Sequence, residues 1–145
     1  AVVPQGFSLA EVCERMKSFK GVRGRLEMVP NAQGLSIFVD YAHTDDALRC
    51  VLTALREFKK GKIITVFGCG GDRDQKKRPL MAKVVEELSD FAIITVDNAR
   101  SEDPMQICRD IMSGFKCIEK FVVELDRAEA IERAIKMAKV SDIVL

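Results

Sequence analysis

The sequence has no tryptophan, a single tyrosine (Tyr41), a single histidine (His43) and almost no net charge, with 23 Lys plus Arg against 22 Asp plus Glu in 145 residues. Balanced charge gives no global pull toward nucleic acid or acidic membranes, and scarce aromatics leave few platforms on which bases could stack. Any anion binding must come from a local cluster. The five cysteines, Cys13, Cys50, Cys69, Cys108 and Cys117, form no C-x-x-C pair. With one histidine they lack the spacing of a Cys/His zinc site, and they read as reduced thiols. No stretch approaches the roughly 20 apolar residues that cross a bilayer, and the N-terminal segment lacks the layout of a signal peptide. The expectation is a cytoplasmic protein with neither nucleic acid nor membrane as a partner.

What is present points to one globular domain. The chain is 48% hydrophobic and 31% charged, enough to build a core without a disulfide or metal staple. It begins at Ala1 rather than Met and ends on Ser141-Asp142-Ile143-Val144-Leu145, which reads as the start of a buried strand. A piece of a longer protein is therefore expected.

Residues 8–19 carry helical signals: Ser8 and Glu11 form a capping box, and Leu9, Val12, Met16 and Phe19 recur at helical spacing. Residues 25–29 and 35–39 read as short strands joined by a turn containing Pro30, Asn31 and Gly34. A regular alternation follows. Helices are expected from Thr44 to Phe58, from about Pro79 to Leu88, from Asp103 to Gly114, and from Asp126, with Glu129 completing its cap, to Lys139. Between them lie strands at 62–67, 91–96 and 118–124, with another opening at Ile143. This order predicts an α/β fold: a doubly wound, mainly parallel, Rossmann-like sheet with helices on both faces, preceded by a hairpin and an N-terminal helix.

Ligands of such sheets bind beyond the carboxyl ends of the strands, where three loops concentrate polar chemistry. The first, Asp40-Tyr41-Ala42-His43-Thr44, sets a carboxylate, a phenol and the only imidazole at a strand-to-helix turn. These groups either meet a sugar or phosphate, or merely satisfy the turn and the helix terminus. The second runs from Gly68 through Cys69, Gly70, Gly71, Asp72 and Arg73 to Arg78. It is neither a Walker A loop nor G-x-G-x-x-G, but its glycines allow close backbone approach, and Arg73, Lys76, Lys77 and Arg78 make a cationic cluster. The other reading is a solvated charged loop. Nothing in the sequence places a base beside Cys69, which reads as a small buried residue. In the third, Asp97-Asn98-Ala99-Arg100-Ser101-Glu102-Asp103-Pro104, Arg100 could grip a carboxylate while Asp97 and Asn98 accept from an ammonium group. That pattern suits a zwitterionic amino acid. Alternatively it is an Asx turn with a surface arginine paired to Glu102 or Asp103.

Four ordered motifs, GVRGRLE at 21–27, DYAHTDDAL at 40–48, FGCGGDRDQKKRPLM at 67–81 and DNARSEDP at 97–104, together resemble the C-terminal domain of the Mur ligases over nearly the whole chain. The likeness is to the members that add the third residue of the peptidoglycan stem. It implies an ATP-dependent amide ligase in which the D-glutamate carboxylate of UDP-MurNAc-L-Ala-D-Glu becomes an acyl phosphate and is attacked by the amino group of the incoming amino acid. Carried over, the resemblance gives Arg25, Asp40 and His43 to ATP, and Arg73, Asp97, Asn98 and Arg100 to the amino acid. Diaminopimelate-adding members resemble D-N-P-R at the third loop, so Arg100 implies meso-diaminopimelate as that amino acid. Ala99 departs from the family's proline and frees the backbone there; a tuned affinity is expected.

The resemblance further implies that residues 1–24 are the last helix and linker of a central ATPase domain and 25–145 an amino-acid-binding domain incomplete at its C-terminus. The phosphate loop, the Mg²⁺ ligands and a modified lysine are expected upstream, and a Gly-Lys-Gly-His-Glu segment downstream. By itself the chain is expected to be inactive, with no catalytic or metal-binding residue of its own. The alternatives are a lysine-adding or other Mur- or folylpolyglutamate-type ligase domain, and a noncatalytic nucleotide- or anion-binding module.

Overall fold

Apolar residues in the strands of this chain alternate between two cores, and the helices distribute themselves accordingly. The computed structural model describes residues 6–19 and 21–145. Its six strands are β1 (Glu27–Met28), β2 (Ser36–Val39), β3 (Ile63–Phe67), β4 (Phe91–Ile94), β5 (Phe121–Val123) and β6 (Ile143–Val144), in the spatial order β1-β2-β6-β3-β4-β5. All neighbours are parallel except β1, which pairs antiparallel with β2. The helices are α1 (Leu9–Lys17), α2 (Asp45–Phe58), α3 (Lys77–Leu88), α4 (Pro104–Met112) and α5 (Arg127–Met137).

Ile63, Phe67, Ala92, Ile94 and Ile143 pack on Leu48, Leu52 and Leu55 of α2, Met81, Ala82, Val84 and Val85 of α3, and Ile107, Cys108 and Ile111 of α4. Ile64, Ile93 and Val144, pointing the other way, pack with Ala130 and Ala134 of α5, and Ile37, Val66, Phe91 and Ala138 close the edges of this smaller core. The expected two-faced sheet is thus borne out with an unequal division, three helices against one. α3 and α4 approach closely at Gly114, where a Cβ would run into the Pro79 carbonyl and the Ala82 side chain.

Capping follows the sequence. Ser8 and Glu11 form the capping box of α1, Thr44 accepts from Ala47 N–H, and Asp103 accepts from Met105 and Gln106. Two local expectations change. Asp126 caps α5 alone, because Glu129 contributes only its backbone N–H while Asp126 N–H donates to Glu124 Oε1 at 3.1 Å. The strand expected over 118–124 is a 3₁₀ turn, Ile118–Lys120, followed by β5. Glu86 of α3 accepts the N–H groups of Lys116 and Cys117, which holds the approach to β5 away from the sheet ladder. No residue of α1 is buried, and Leu9, Met16 and Phe19 are each more than 60% exposed.

Asp142 fixes the return of the chain into the sheet. It is buried, and its oxygens accept from Lys62 N–H (2.7 Å) and Lys139 N–H (2.9 Å), which hold its carboxyl below the ordinary range. The α5–β6 corner is thereby tied to the α2–β3 connection, and β6 enters between β2 and β3.

Candidate functional site

Parallel strands bring their carboxyl ends to one edge, and there the three polar loops meet around a cleft of about 770 Å³. Asp40, Tyr41, His43, Arg73, Asp97, Asn98 and Arg100 all line it. Arg25 does not; it reaches the cleft through Tyr41, its guanidinium lying 5.0 Å from the ring centroid.

In the first loop Asp40 is partly committed to structure. Its Oδ2 accepts Leu26 N–H and its Oδ1 accepts Ala42 N–H, at 2.7 and 2.8 Å, so the carboxylate ties the β1 segment to the turn before α2. A carboxylate has lone pairs beyond these two, and the structural and ligand readings of Asp40 are compatible. His43 is exposed, with Nδ1 3.1 Å from the Tyr41 carbonyl and its ring edge-on to Tyr41 at 5.2 Å.

The second and third loops are laced together. Gly71 N–H donates to the Asn98 carbonyl at 2.7 Å, and Arg100 Nη1 donates to the Gly71 carbonyl at 3.0 Å. A Cβ on Gly71 would overlap the Ala99 carbonyl, so glycine is required by the closeness of the two backbones. Asn98 Oδ1 accepts Arg100 N–H at 3.3 Å, the Asx turn read from sequence, but Arg100 pairs with neither Glu102 nor Asp103. Asp97 and Asn98 remain exposed at the mouth.

Arg78 corrects the cationic cluster. Its side chain is 1% exposed and grips Glu102 in a bidentate pair (2.8 and 2.9 Å), Asp110 at 2.7 Å and the Gly70 carbonyl at 3.3 Å. Arg73, Lys76 and Lys77 stay exposed, so the cationic face is smaller than the sequence suggested. The Arg78 guanidinium and then Asp72 N–H hold the Glu102 carboxyl at about 2, against an ordinary 4.5. A depressed carboxyl stabilises the fold above its unfolded value and loses that contribution as pH falls. Acid loosening of this cluster is expected between about pH 4.5 and 2. Glu102→Gln should weaken the pH dependence across that window in a circular-dichroism titration, and an unchanged acid limb would contradict the assignment.

Cys69 is buried, its Sγ 3.6 Å from Met81 Sδ, and burial pushes its thiol up to about 12. It packs and does not attack, as its sequence context implied. Sequence reading passed over Arg127, the first residue of α5, which also lines the cleft. Its Nη1 donates to the Val96 carbonyl at 3.3 Å and lies 4.0 Å from Asp97 Oδ1. The signal was available, since the loop after β5 opens on the same edge as the other three.

Among the described residues no helix is long and apolar enough to cross a membrane, and no three His, Cys, Asp or Glu are grouped to hold a metal ion. Residues 24–145 match the family described as Mur ligase, glutamate ligase domain. The UDP-N-acetylmuramoyl-L-alanyl-D-glutamate--2,6-diaminopimelate ligase of Clostridioides difficile (strain 630) is 52% identical over 133 residues, 91% of this chain and 28% of its own length. A solved structure of a ligase with the same name superposes with a TM-score of 0.79 at 37% identity, covering 97% of this chain and 29% of that one. A bifunctional folylpolyglutamate synthase/dihydrofolate synthase from Yersinia pestis, solved with AMPPNP and a Mn ion, shares the fold at 18% identity and a TM-score of 0.69, over 86% of this chain and 28% of that one. The chain therefore spans under a third of the length of each. With the match extending over most of its residues and over the loops that build the cleft, the chain belongs to the Mur ligase family, in its glutamate ligase domain.

Proposed function

We propose that this chain is the amino-acid-binding part of an ATP-dependent ligase that joins meso-diaminopimelate to UDP-MurNAc-L-Ala-D-Glu in peptidoglycan synthesis. The observation that carries the reading is the convergence of Arg73, Asp97, Asn98 and Arg100 on one cleft. Two guanidinium groups suit carboxylates, and Asp97 suits an ammonium group. An amino acid with a carboxylate at each end matches that charge pattern better than one with a single carboxylate. Asn98 steadies the loop through Oδ1 and completes the substrate contact with its amide.

ATP converts the D-glutamate carboxylate into an acyl phosphate, and the bound amino group displaces phosphate to form the amide. Arg25, Asp40 and His43 meet the ribose or phosphates of ATP on the other side of the cleft, with Arg25 held against Tyr41. Mg²⁺ accompanies the nucleotide and is assigned no ligand in this chain. Residues 25–145 make up the amino-acid-binding domain, and residues 1–24 are the end of a preceding ATPase domain. Two observations support that boundary: the family match starts at residue 24, and α1 is capped at its N-terminus yet buries none of its residues against this sheet. The protein is bacterial and works in the cytoplasm, where its UDP-linked substrate is made.

The test is ADP release by the complete protein, with UDP-MurNAc-L-Ala-D-Glu supplied and meso-diaminopimelate compared with L-lysine. Release that depends on diaminopimelate is the expected result. Equal or greater release with lysine would leave a ligase and overturn the specificity.

A further inference from the structure

The loop that carries Arg100 is held by polar contacts that meet no substrate in the reading above. Asp72, at φ +52°, accepts the Ser101 hydroxyl on Oδ1 at 2.6 Å and Ser101 N–H on Oδ2 at 3.4 Å. In return Glu102 Oε1 accepts Asp72 N–H at 2.6 Å, and Glu102 Oε2 accepts Gln75 Nε2 at 3.2 Å. Buried Arg78 binds both oxygens of Glu102 from below. Each loop thus offers a carboxylate to the other, and the arginines assigned to the amino acid lie close by in the chain, Arg73 directly after Asp72 and Arg100 two residues before Glu102.

Arg100 itself sits at φ +50°, a left-handed conformation that is strained for a non-glycine residue and persists only when its surroundings over-determine it. Ala99 does nothing to restrict the backbone before it, but the Ala99 carbonyl accepts Glu102 N–H at 3.0 Å, closing a turn whose last residue is the clasped Glu102.

We infer that Asp72 and Ser101, buttressed by Glu102 and Arg78, are positioning residues that set the distance between Arg73 and Arg100 and hold Arg100 in its strained conformation before any ligand arrives. The clasp supplies through side chains the restraint that a proline at position 99 would supply through its ring. Its consequence is selectivity for length: the two chain positions that carry the guanidinium groups are held at a fixed separation, so a substrate with two carboxylates at the matching spacing finds both together. The inference rests on the function proposed above.

Ser101 is exposed, so removing its hydroxyl tests the clasp without emptying a core. In the complete protein, Ser101→Ala should raise the KM for meso-diaminopimelate about tenfold, the worth of one hydrogen bond to a charged group, with the KM for ATP unchanged. The melting temperature should stay within about 2 °C. Ser101→Thr, which keeps the hydroxyl, should restore the wild-type KM, and calorimetric titration with meso-diaminopimelate alone should follow the same order. An unchanged diaminopimelate KM overturns the proposal. So do a parallel rise in the ATP KM, failure of threonine to rescue, or a loss explained by a lowered melting temperature. A wild-type protein that ignores diaminopimelate instead removes the functional reading on which the clasp depends.

Discussion

Replacing Arg78 with methionine is expected to cost the fold about 3–5 kcal/mol, the range for removing one partner of a buried ion pair. Methionine fills much of the same volume, so the loss is electrostatic. Glu102 and Asp110 would face each other across the vacated position with no cation between them, and the Gly70 carbonyl would lose a donor. Against a domain stability of about 5–15 kcal/mol this is severe, and the midpoint of urea unfolding measures it. Lysine should not rescue, because a single ammonium cannot reproduce a bidentate grip on Glu102 while also reaching Asp110. Adding Glu102→Gln and Asp110→Asn to Arg78→Met should recover part of the loss, since the stranded charges are the main penalty. A cost under about 1 kcal/mol, the size of an exposed pair, would mean that Arg78 is solvated in solution.

The second large effect concerns substrate choice. In the complete protein, Arg100→Ala is expected to lower kcat/KM for meso-diaminopimelate roughly 100-fold, the upper range for a hydrogen-bonded contact to a charged group. The KM for ATP should hold, because the residues assigned to ATP, Arg25 ahead of β1 and Asp40 and His43 on the first loop, lie outside the loop that carries Arg100. L-lysine has no second carboxylate for Arg100 to hold, so any use of it should barely change and the proposed preference between the two should collapse. Arg100→Lys keeps the charge without the planar fork and should remain impaired. If Arg100→Ala spares diaminopimelate use, Arg100 only braces the Gly71 carbonyl and the specificity lies elsewhere.

Most of the element order was legible because it rests on local physics. Thr44, Asp103 and Asp126 precede helices for the same reason that they appear in the sequence, an oxygen that accepts the orphan N–H groups of a first turn. The candidate ligand loops were legible through topology, since parallel strands put their carboxyl ends on one edge. The stretch at 118–124 was misread because its apolar residues suit a strand, while the contact that bends it comes from Glu86, some 30 residues away. Arg127 carries no motif of its own, and its only signal is topological: the loop after β5 opens on the edge that the other three share.

An α/β chain with capped helices, buried strands and three polar loops at strand ends follows from local chemistry, because caps, periodicity and turn chemistry act within a few residues. The insertion of β6 between β2 and β3, through the hold of Asp142 on Lys62 N–H, comes from contacts between distant segments. So does the burial of Arg78, one of four cations in a short charged run, which leaves solvent for Glu102 and Asp110, 24 and 32 residues further along the chain. Neighbouring charges look alike in a sequence; whether one is buried depends on which carboxylates the fold brings to it, and that is a property of contacts between distant segments.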